Sequence, residues 1–303
     1  MKISLFLFCL LPLVTAGVNC TTKPKSSREQ VDELNAQRAA AFRSRNVQQL
    51  VSMYSKDAVC MPQYHTTLFD RVSIGIYFTQ WMAAVKTSSY KSQTSELLEQ
   101  GNDLLETGTF TDTIVRTIND TVIYLGKYFR HWKLDSAKRP QIYAEIWGGS
   151  QWLDRNKFPF MGDSDPVSIK PHNTGSAEEN LVIERNQLLG QLVKERRGPE
   201  HADLFTDDAV YMPYYTPPLK GINDIRAYFT EHEKPGDVTI DSLSLITGRV
   251  TVINDLIMEH GFYGVRWIAN DSTSGVVTGK SLNLWKRKPD GTLMMFRQMV
   301  NHN

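Results

Sequence analysis

The chain contains seven histidines, and their spacing bears on whether it could support metal or acid–base chemistry. No two of them stand at a metal-ligand spacing such as H-E-x-x-H, so no metal site is predicted. The densest cluster, Glu231-His232-Glu233, falls at the end of a predicted helix, where charged residues are usually solvated. A Gly-rich phosphate loop, a G-x-S-x-G elbow and a Cys-His motif are also missing from the sequence. The usual signatures of hydrolases and nucleotide-binding proteins are therefore absent, and no cofactor is predicted.

The N-terminus and the net charge restrict location and partners. Lys2 precedes an apolar run from Ile3 to Val14 that ends in the small residues before Gly17, which predicts a signal peptide at 1–16. The run is too short to span a bilayer, which needs about 20 apolar residues. We therefore expect a secreted or extracellular protein with no membrane partner. The balance of 34 Lys+Arg against 33 Asp+Glu also disfavours nucleic acid as a partner.

The sequence contains three cysteines, of which Cys9 lies within the predicted signal peptide. In an oxidising compartment the other two, Cys20 and Cys60, could form one disulfide, or Cys60 could be a buried free thiol. Cys20 could instead carry a lipoprotein modification, although the residues before it fit that signal poorly. Candidate glycosylation sites lie at Asn119 and Asn270, each the first residue of an N-x-[ST] triplet.

An internal repeat is the main structural signal. Residues 57–64, DAVCMPQY, match residues 208–215, DAVYMPYY, at an offset of 151. Residues 126–133, GKYFRHWK, match residues 279–286, GKSLNLWK, at an offset of 153, as does Glu106-Thr107-Gly108 with Glu259-His260-Gly261. A loop that differs by two residues reconciles the offsets. The sequence therefore predicts two copies of one domain in tandem.

Each copy is predicted to begin with helices and to end with an antiparallel sheet. Ser26 with Glu29, and Ser176 with Glu179, form capping-box patterns that mark the first helix of each copy. Four strand-like stretches follow three helices, which is the pattern of an α+β fold with helices packed on one face of a curved sheet. The predicted organisation is a signal peptide at 1–16, a first domain at 25–150, a linker at 151–173 and a second domain at 174–303. Aromatic residues in the linker predict that it docks on a domain; they are Trp152, Phe158 and Phe160.

Several of these motifs resemble the nuclear transport factor 2-like (NTF2-like) superfamily, which includes ketosteroid isomerase, the SnoaL-like cyclases and the domains called DUF4440. The resemblance rests on Asp-Ala-Val with a nearby Met-Pro, on LKGINDIRAYF at 219–229, and on Gly279-Lys280 with the later Leu-Trp-Lys. It covers nearly all of both copies. It implies that each copy is a cone whose sheet curls around a pocket, but it does not imply one function, because this fold hosts many activities.

Ketosteroid isomerases use a carboxylate base, a tyrosine donor and a protonated carboxylic acid donor. By the resemblance, the base position falls on Met61 or Pro62 in copy one and on Met212 or Pro213 in copy two. The tyrosine position falls near Arg38 and Leu189, and the acid position near Arg130 and Asn283. None of these residues is the one that the role requires. Isomerase chemistry of that type is therefore disfavoured.

Strand alternation then suggests which side chains line the two pockets. On 279–286 it places Ser281, Asn283 and Trp285 on one face, and the resemblance implies that this face points inward. An open cavity is more strongly expected in copy two than in copy one. The ligand-pocket candidates are Tyr211, Tyr228, Asn283 and Trp285 in copy two and Tyr77, Arg130 and Trp132 in copy one; the aromatic members could equally fill the core.

The opposite strand faces carry the apolar residues Phe129, Leu282 and Leu284, which require cover. We expect the two repeats to pack on each other through these faces as an internal pseudo-dimer. The leading functional hypothesis is a secreted protein that binds a small apolar or aromatic molecule. The alternatives are a lyase, isomerase or cyclase with another acid–base set, and a structural association module. Acid–base candidates for the enzyme alternative are Tyr211, His232, Asn283 and Arg130.

Overall fold

The computed structural model describes residues 25–157 and 174–303. The predicted signal peptide, Cys9, Cys20 and the linker residues Phe158 and Phe160 lie outside the described residues, so the predictions about them are not tested. Within the described ranges, none of the helices combines the length and apolar character that crossing a membrane requires.

Domain one consists of three helices and six strands. Its helices are α1 (Ser27–Ser44), α2 (Val47–Ser52) and α3 (Arg71–Ala84), and its strands are β1 (Tyr54–Pro62), β2 (Leu68–Phe69), β3 (Lys86–Gln100), β4 (Asp103–Thr117), β5 (Asp120–Leu134) and β6 (Pro140–Gly149). The two short elements that flank β1, α2 and β2, fix the direction in which the chain enters the sheet. Four long strands then form most of the curved wall, as the sequence predicts.

Domain two repeats this order of elements. Its helices are α4 (Ala177–Lys194), α5 (Gly198–Ala202) and α6 (Ile222–His232), and its strands are β7 (Phe205–Met212), β8 (Leu219–Lys220), β9 (Val238–Ile253), β10 (Leu256–Ala269), β11 (Ser274–Arg287) and β12 (Leu293–His302). The equivalent elements of the two domains therefore confirm the predicted α+β fold class.

The two sheets have the same strand order, β2-β1-β6-β5-β4-β3 and β8-β7-β12-β11-β10-β9. All neighbours are antiparallel except β1 with β6 and β7 with β12, which run parallel. The sheets also bulge at equivalent positions, Ser95 in β3 and Gly248 in β9, where one strand has a residue more than its partner. Because a bulge bends a strand and increases its twist, these positions help to curl each sheet around its interior.

The predicted caps begin both first helices, with one difference. At α1 the reciprocal capping box forms, since Glu29 N–H donates to Ser26 Oγ and Ser26 N–H donates to the Glu29 carboxylate. At α4 the Ser176 hydroxyl accepts from Glu179 N–H, but the Glu179 carboxylate accepts from Thr174 and Gly175 instead. The Glu179 side chain therefore also fixes the two residues before the cap.

Buried apolar side chains form three clusters. One lies inside domain one between its helices and sheet, and one lies at the same place in domain two. The third cluster lies on the outer faces of both sheets and contains Val59, Met61, Leu105, Phe129, Ala144 and Ile146 from domain one with Met212, Ile253, Leu256, Met258, Leu282, Leu284, Phe296 and Met299 from domain two. Phe129, Leu282 and Leu284 are completely buried in it.

Polar contacts surround this shared cluster. Arg297 of domain two binds the Glu96 carboxylate of domain one through two hydrogen bonds of 2.7 Å. Asn301 Nδ2 donates to the Trp147 carbonyl at 2.6 Å, and Tyr64 N–H donates to the His302 carbonyl at 3.2 Å. Backbone groups at the ends of the two sheets are thus satisfied across the contact.

Of the three linker aromatics predicted to dock, only Trp152 lies in the described residues, where Leu153 beside it makes the contacts instead. Trp152 is 71% exposed, whereas the neighbouring Leu153 is buried. The Leu153 carbonyl accepts hydrogen bonds from the hydroxyls of Tyr64 and Tyr215, one from each domain. A short 3₁₀ helix, Arg155–Lys157, follows.

The buried imidazole of His260 predicts a specific acid sensitivity. Burial, together with the nearby side chains of Arg249, His131 and Lys133, lowers the His260 pKa to about 3. Between pH 6.5 and about 3 the unfolded chain binds a proton there that the folded chain does not, so stability falls as pH falls through this window. At pH 5 this contribution is about 2 kcal/mol. Urea unfolding at pH 7 and pH 5 should therefore show a smaller acid-induced loss for His260→Gln than for the parent chain. An identical pH dependence for both proteins would contradict this assignment.

Candidate functional site

A buried glutamate joins the first helix to the sheet in each domain. In domain one, the Glu106 carboxylate on β4 accepts hydrogen bonds from Asn35 on α1 at 2.7 Å, Thr94 at 2.7 Å, Tyr128 at 2.8 Å and Trp132 at 2.9 Å. Such a set satisfies both carboxylate oxygens away from water.

Domain two repeats this arrangement around Glu259 on β10. Asn186 on α4 donates to it at 2.6 Å, Thr247 at 2.9 Å, Trp285 at 2.9 Å and Asn283 at 3.0 Å. The helix amide, the threonine and the indole thus occupy equivalent positions in both domains. The shared part of the arrangement therefore has a structural role, because it holds a helix against the sheet in both.

In domain one a charge network fills the interior beside this glutamate. Arg130 Nε lies 2.6 Å from Glu145 and its Nη1 lies 3.5 Å from Glu106, while Arg38 lies 3.0 Å from Glu145. Tyr54 donates to the same Glu145 carboxylate. Burial alone raises the Glu145 pKa, but the two guanidinium groups outweigh it, so the pKa is lowered overall. The network is therefore ionised and internally balanced.

Aromatic rings occupy most of the remaining interior of domain one. Tyr90 stacks on Phe110 with ring centroids 5.7 Å apart, and Trp81 and Trp147 meet edge to face at 5.9 Å. The void that remains among them has a volume of about 20 Å³. The interior of domain one is thus essentially filled.

The strand register identifies why domain two is different. Tyr128 pairs with Trp147 across β5 and β6, and the equivalent pair across β11 and β12 is Ser281 with Val300. Likewise Arg130 pairs with Glu145, and Asn283 pairs with Gln298. Each of these replacements except that of Glu145 removes several heavy atoms from the interior while the strands stay in register. Domain two therefore keeps the conical backbone, but fewer side-chain atoms occupy its interior.

The result is a cavity of about 380 Å³ inside domain two. Its wall is largely aromatic and aliphatic, with a few polar side chains between the apolar ones. The lining includes Leu189, Val193, Tyr211, Tyr214, Tyr228, Phe229, Leu243, Leu245, Phe262, Tyr263 and Val300, with Asn186, Arg196, His201, His232, Glu233, Glu259, Ser281, Asn283, Gln298 and His302 among the polar members. Leu243, Leu245 and Asn186 also line a neighbouring groove between α4 and β9, so the cavity and the groove adjoin.

Two acidic side chains contribute to this wall. Burial raises the Glu259 pKa, although its four hydrogen bonds act in the opposite direction. The Glu233 carboxylate, at the end of α6, accepts from His201 Nδ1 at 2.6 Å, and the imidazole stacks on Phe229 with ring centroids 3.9 Å apart. His201 Nε2 and Glu233 Oε2 are buried and have no hydrogen-bond partner among the described residues.

The copy-two candidates from the sequence are distributed between the wall and the layer behind it. Tyr211, Tyr228 and Asn283 line the cavity. Trp285 is completely buried and belongs to the domain core, where its indole donates to Glu259. Asn283 is itself bound, since its amide donates to Glu259 and accepts from Gln298 at 3.1 Å.

The copy-one candidates are part of a packed interior. Tyr77 is buried between Trp81 and Trp147, with ring centroids 6.2 and 6.3 Å away. Arg130 is held by Glu145 and Glu106, and Trp132 donates to Glu106. Each of the three is thus held in the packed interior of domain one, where the void of about 20 Å³ is far smaller than a ligand of drug-like size.

Sequence reasoning missed the carboxylates of the cavity wall. The inherited isomerase positions lack acids, Glu259 was not considered as a pocket residue, and Glu233 was assigned to a solvated helix end. The signal for Glu259 was present, because the repeat aligns Glu106 with Glu259. Glu233 also departs from the solvated helix end that was expected for Glu231-His232-Glu233, because it is only 5% exposed while the other two are exposed.

The remaining predicted sites lie away from the cavity. Asn119 is exposed in the turn between β4 and β5, and Asn270 is exposed in the turn between β10 and β11. Cys60 is completely buried in the core of domain one as a free thiol, and burial raises its pKa. Its predicted partner Cys20 is outside the described residues, so the disulfide stays a prediction. No group of three or more potential metal ligands occurs among the residues that the structure describes.

No family model and no curated protein matches the chain. Solved structures do match: ActVI-ORFA from Streptomyces coelicolor is 16% identical, with a TM-score of 0.38, over 42% of this chain and 95% of that chain. A ketosteroid isomerase-like protein from Erwinia carotovora atroseptica is 17% identical, with a TM-score of 0.36, over 42% and 98%. A Catenulispora acidiphila protein in complex with S-DNPA is 19% identical, with a TM-score of 0.36, over 42% and 93%.

Each of these matches spans the length of one domain. Proteins described as ketosteroid isomerase-like and as NTF2-like are among the matched structures. The similarity concerns the fold alone. In this chain the fold occurs twice, since helices precede a six-stranded sheet in both halves.

The balanced network of domain one predicts a large cost for removing one charge. Arg130→Met leaves Glu106 and Glu145 buried with reduced compensation, so the free energy of unfolding should fall by about 3–5 kcal/mol. Arg28→Met is the matched control, because it removes the same charge from an exposed ion pair with Asp32 and should cost about 0–1 kcal/mol. Urea unfolding of both variants measures the difference, and comparable losses would argue against the network.

Proposed function

We propose that domain two binds a small, mainly apolar or aromatic molecule in its cavity, and that domain one acts as its structural partner. The observation that carries this proposal is the difference between two equivalent interiors. One has a cavity of about 380 Å³ and the other a void of about 20 Å³. Protein interiors are packed close to crystal density, so an open space of this size at positions that domain one fills is a departure from ordinary core packing.

The size and lining of the cavity support this proposal. Small-molecule sites usually have volumes of about 300–1,000 Å³ and apolar walls with a few polar groups that fix orientation. The wall here combines the rings of Tyr211, Tyr228 and Tyr263 with the amides of Asn186 and Gln298. Burial raises the pKa of Tyr211, so its hydroxyl stays protonated and can donate a hydrogen bond to a ligand.

Two of the four acid–base candidates taken from the sequence are held by other side chains. Arg130 is held in ion pairs inside a filled domain, and Asn283 is held by Glu259 and Gln298. A general acid or base must reach a reacting atom of the substrate. These two residues have partners that already occupy them, so neither supports lyase, isomerase or cyclase chemistry.

We also propose that the two domains form an internal pseudo-dimer that works as one structural unit. The support comes from the shared apolar cluster and from the Arg297–Glu96 ion pair beside it. Covering the outer face of each sheet removes apolar surface from water, which stabilises both domains together. The filled domain thereby supports the hollow one.

Refilling the cavity tests the proposed binding site. Ser281→Tyr introduces the residue found at the equivalent position 128, where Gly108 opposite leaves room for the ring. Gly261 lies opposite Ser281 in the same way, so it leaves the same room for the new ring. With indole as the probe, saturation-transfer NMR should show binding to the parent chain and none to Ser281→Tyr.

Val276→Tyr is the control for this experiment. It adds the same ring to the same strand at a position that is 69% exposed. The parent chain and Val276→Tyr should give the same signal. Equal indole binding by all three proteins would mean that the probe sits elsewhere and would reject the cavity as the site.

Hydrogen exchange tests the pseudo-dimer. Leu284→Ala removes a completely buried side chain from the shared cluster and should cost about 2–5 kcal/mol. If the domains are one cooperative unit, amides of β6 in domain one should lose protection together with those of β11. Val276→Ala, on the same strand but exposed, should leave both unchanged. Loss confined to domain two would show that the domains open independently.

A further inference from the structure

The two interiors differ in charge as well as in volume. In domain one, the buried carboxylates Glu106 and Glu145 are matched by the guanidinium groups of Arg130 and Arg38. The network therefore has two negative and two positive members. Matching of this kind is the usual condition for burying ionised groups, because an uncompensated buried charge is costly.

Domain two keeps acidic groups but loses both arginines. Leu189 and Asn283 occupy the positions of Arg38 and Arg130, while Glu259 remains and Glu233 is added. Among the described residues, no Lys or Arg forms an ion pair with either carboxylate. Arg196 also lines the cavity, but it donates to the Val238 carbonyl at 2.6 Å. The raised pKa of Glu259 is a consequence of burial without such a cation.

The His201–Glu233 pair adds unmet hydrogen-bond acceptors to this wall. By the repeat offset, the equivalent residues in domain one are Leu50 and Met82, which are both buried apolar side chains. The fold therefore does not require polar groups here. With Nδ1 of His201 directed at Glu233, a neutral imidazole has only a lone pair on Nε2, and Glu233 Oε2 is a second acceptor. Leaving both unsatisfied costs stability, which a donor from a ligand would restore.

The rings next to this pair provide a suitable surface for a positive charge. His201 stacks on Phe229, and Phe229 contacts Tyr211 and Tyr228 with ring centroids 5.1 and 5.6 Å away. The faces of aromatic rings attract ammonium groups, and more strongly where water is excluded. Acceptors and rings thus meet at one end of the cavity.

We propose that the cavity of domain two selects an organic amine, whose ammonium group donates to His201 Nε2 and Glu233 Oε2 while its aromatic or apolar body fills the remaining space. This inference rests on the proposed binding function and specifies the ligand class. The ammonium group supplies the positive charge that the lost arginines supply in domain one. It also supplies the donors that the two unmatched acceptors lack.

Three probes with one indole body and different head groups test the proposal. Tryptamine carries an ammonium group, tryptophol a hydroxyl and indolepropionate a carboxylate. Calorimetric titration of the full chain at pH 7 should give the tightest binding for tryptamine, by about tenfold or more over tryptophol, because a hydrogen bond to a charged group is worth more than a neutral one. Indolepropionate should bind most weakly.

Two variants locate the preference. The double variant His201→Leu/Glu233→Met introduces the residues found at the equivalent positions of domain one. The single variant Glu233→Gln removes the carboxylate charge with little change in shape. Both should reduce tryptamine affinity by about tenfold while changing tryptophol affinity much less. Glu200→Gln is the control, because it removes an exposed carboxylate from α5, outside the cavity lining, and should change neither affinity.

The outcomes separate this inference from the function on which it rests. Equal affinities for the three probes, or an ammonium preference that persists in Glu233→Gln, would overturn the amine assignment and leave the binding site in place. Failure of all three probes to bind the parent chain would overturn the proposed function as well. Loss of the preference in both variants, with tryptophol binding retained, supports the proposal.

Discussion

The arrangement depends first on a buried carboxylate that joins helix to sheet. Glu106 in domain one and Glu259 in domain two each accept hydrogen bonds from an asparagine of the first helix, a threonine of the neighbouring strand and an indole. A group of this kind is stable only when every lone pair has a partner, so it fixes the distance between the helix and the curved sheet. The conical shape of each domain depends on this distance between helix and sheet.

Because this carboxylate joins the helix to the sheet, the side chains in the centre of each domain can differ. In domain one the centre contains Arg38, Arg130 and Glu145 with rings around them, and in domain two these positions contain Leu189, Asn283 and Gln298. Large-to-small replacements in a core usually cost stability, because the remaining atoms lose contacts. Domain two tolerates the loss because its helix and sheet are tied at Glu259, and because its outer sheet face is covered by the apolar cluster that it shares with domain one. The helix–sheet contact at Glu259 and the covered outer face of the sheet thus permit a cavity in domain two.

Much of this fold could be predicted from the sequence, because its strongest signals are local. The helix caps at Ser26 and Ser176 require only residues three positions apart, and strand alternation requires only a period of two. The repeat then allowed one copy to be compared with the other. The parallel pairing of β1 with β6 could not be predicted in the same way, since these strands are about 80 residues apart and the antiparallel hairpins between them dominate the pattern.

The site was harder to predict because its chemistry depends on contacts between distant elements. Alternation places Asn283 on the same strand face as Ser281, yet nothing local indicates that it is bound to Glu259 and Gln298. His201 and Glu233 lie on different helices, so their pairing is visible only in three dimensions. A more discriminating signal was available in the repeat itself. A position that is apolar in one copy and ionisable in the other, such as Leu50 against His201, marks a place where the two copies no longer serve the same purpose.

The same comparison underlies the proposal that one copy binds a ligand and the other supports it. An internal duplication gives a chain two cores of one design, and only one of them needs to be fully packed if the other is braced against it. Domain one keeps a balanced set of buried charges and a filled interior, which favours stability. Domain two has unmatched acceptors and free volume at equivalent positions, which are costly unless a second molecule satisfies them. The energetic cost therefore falls on domain two, whose interior a second molecule can fill.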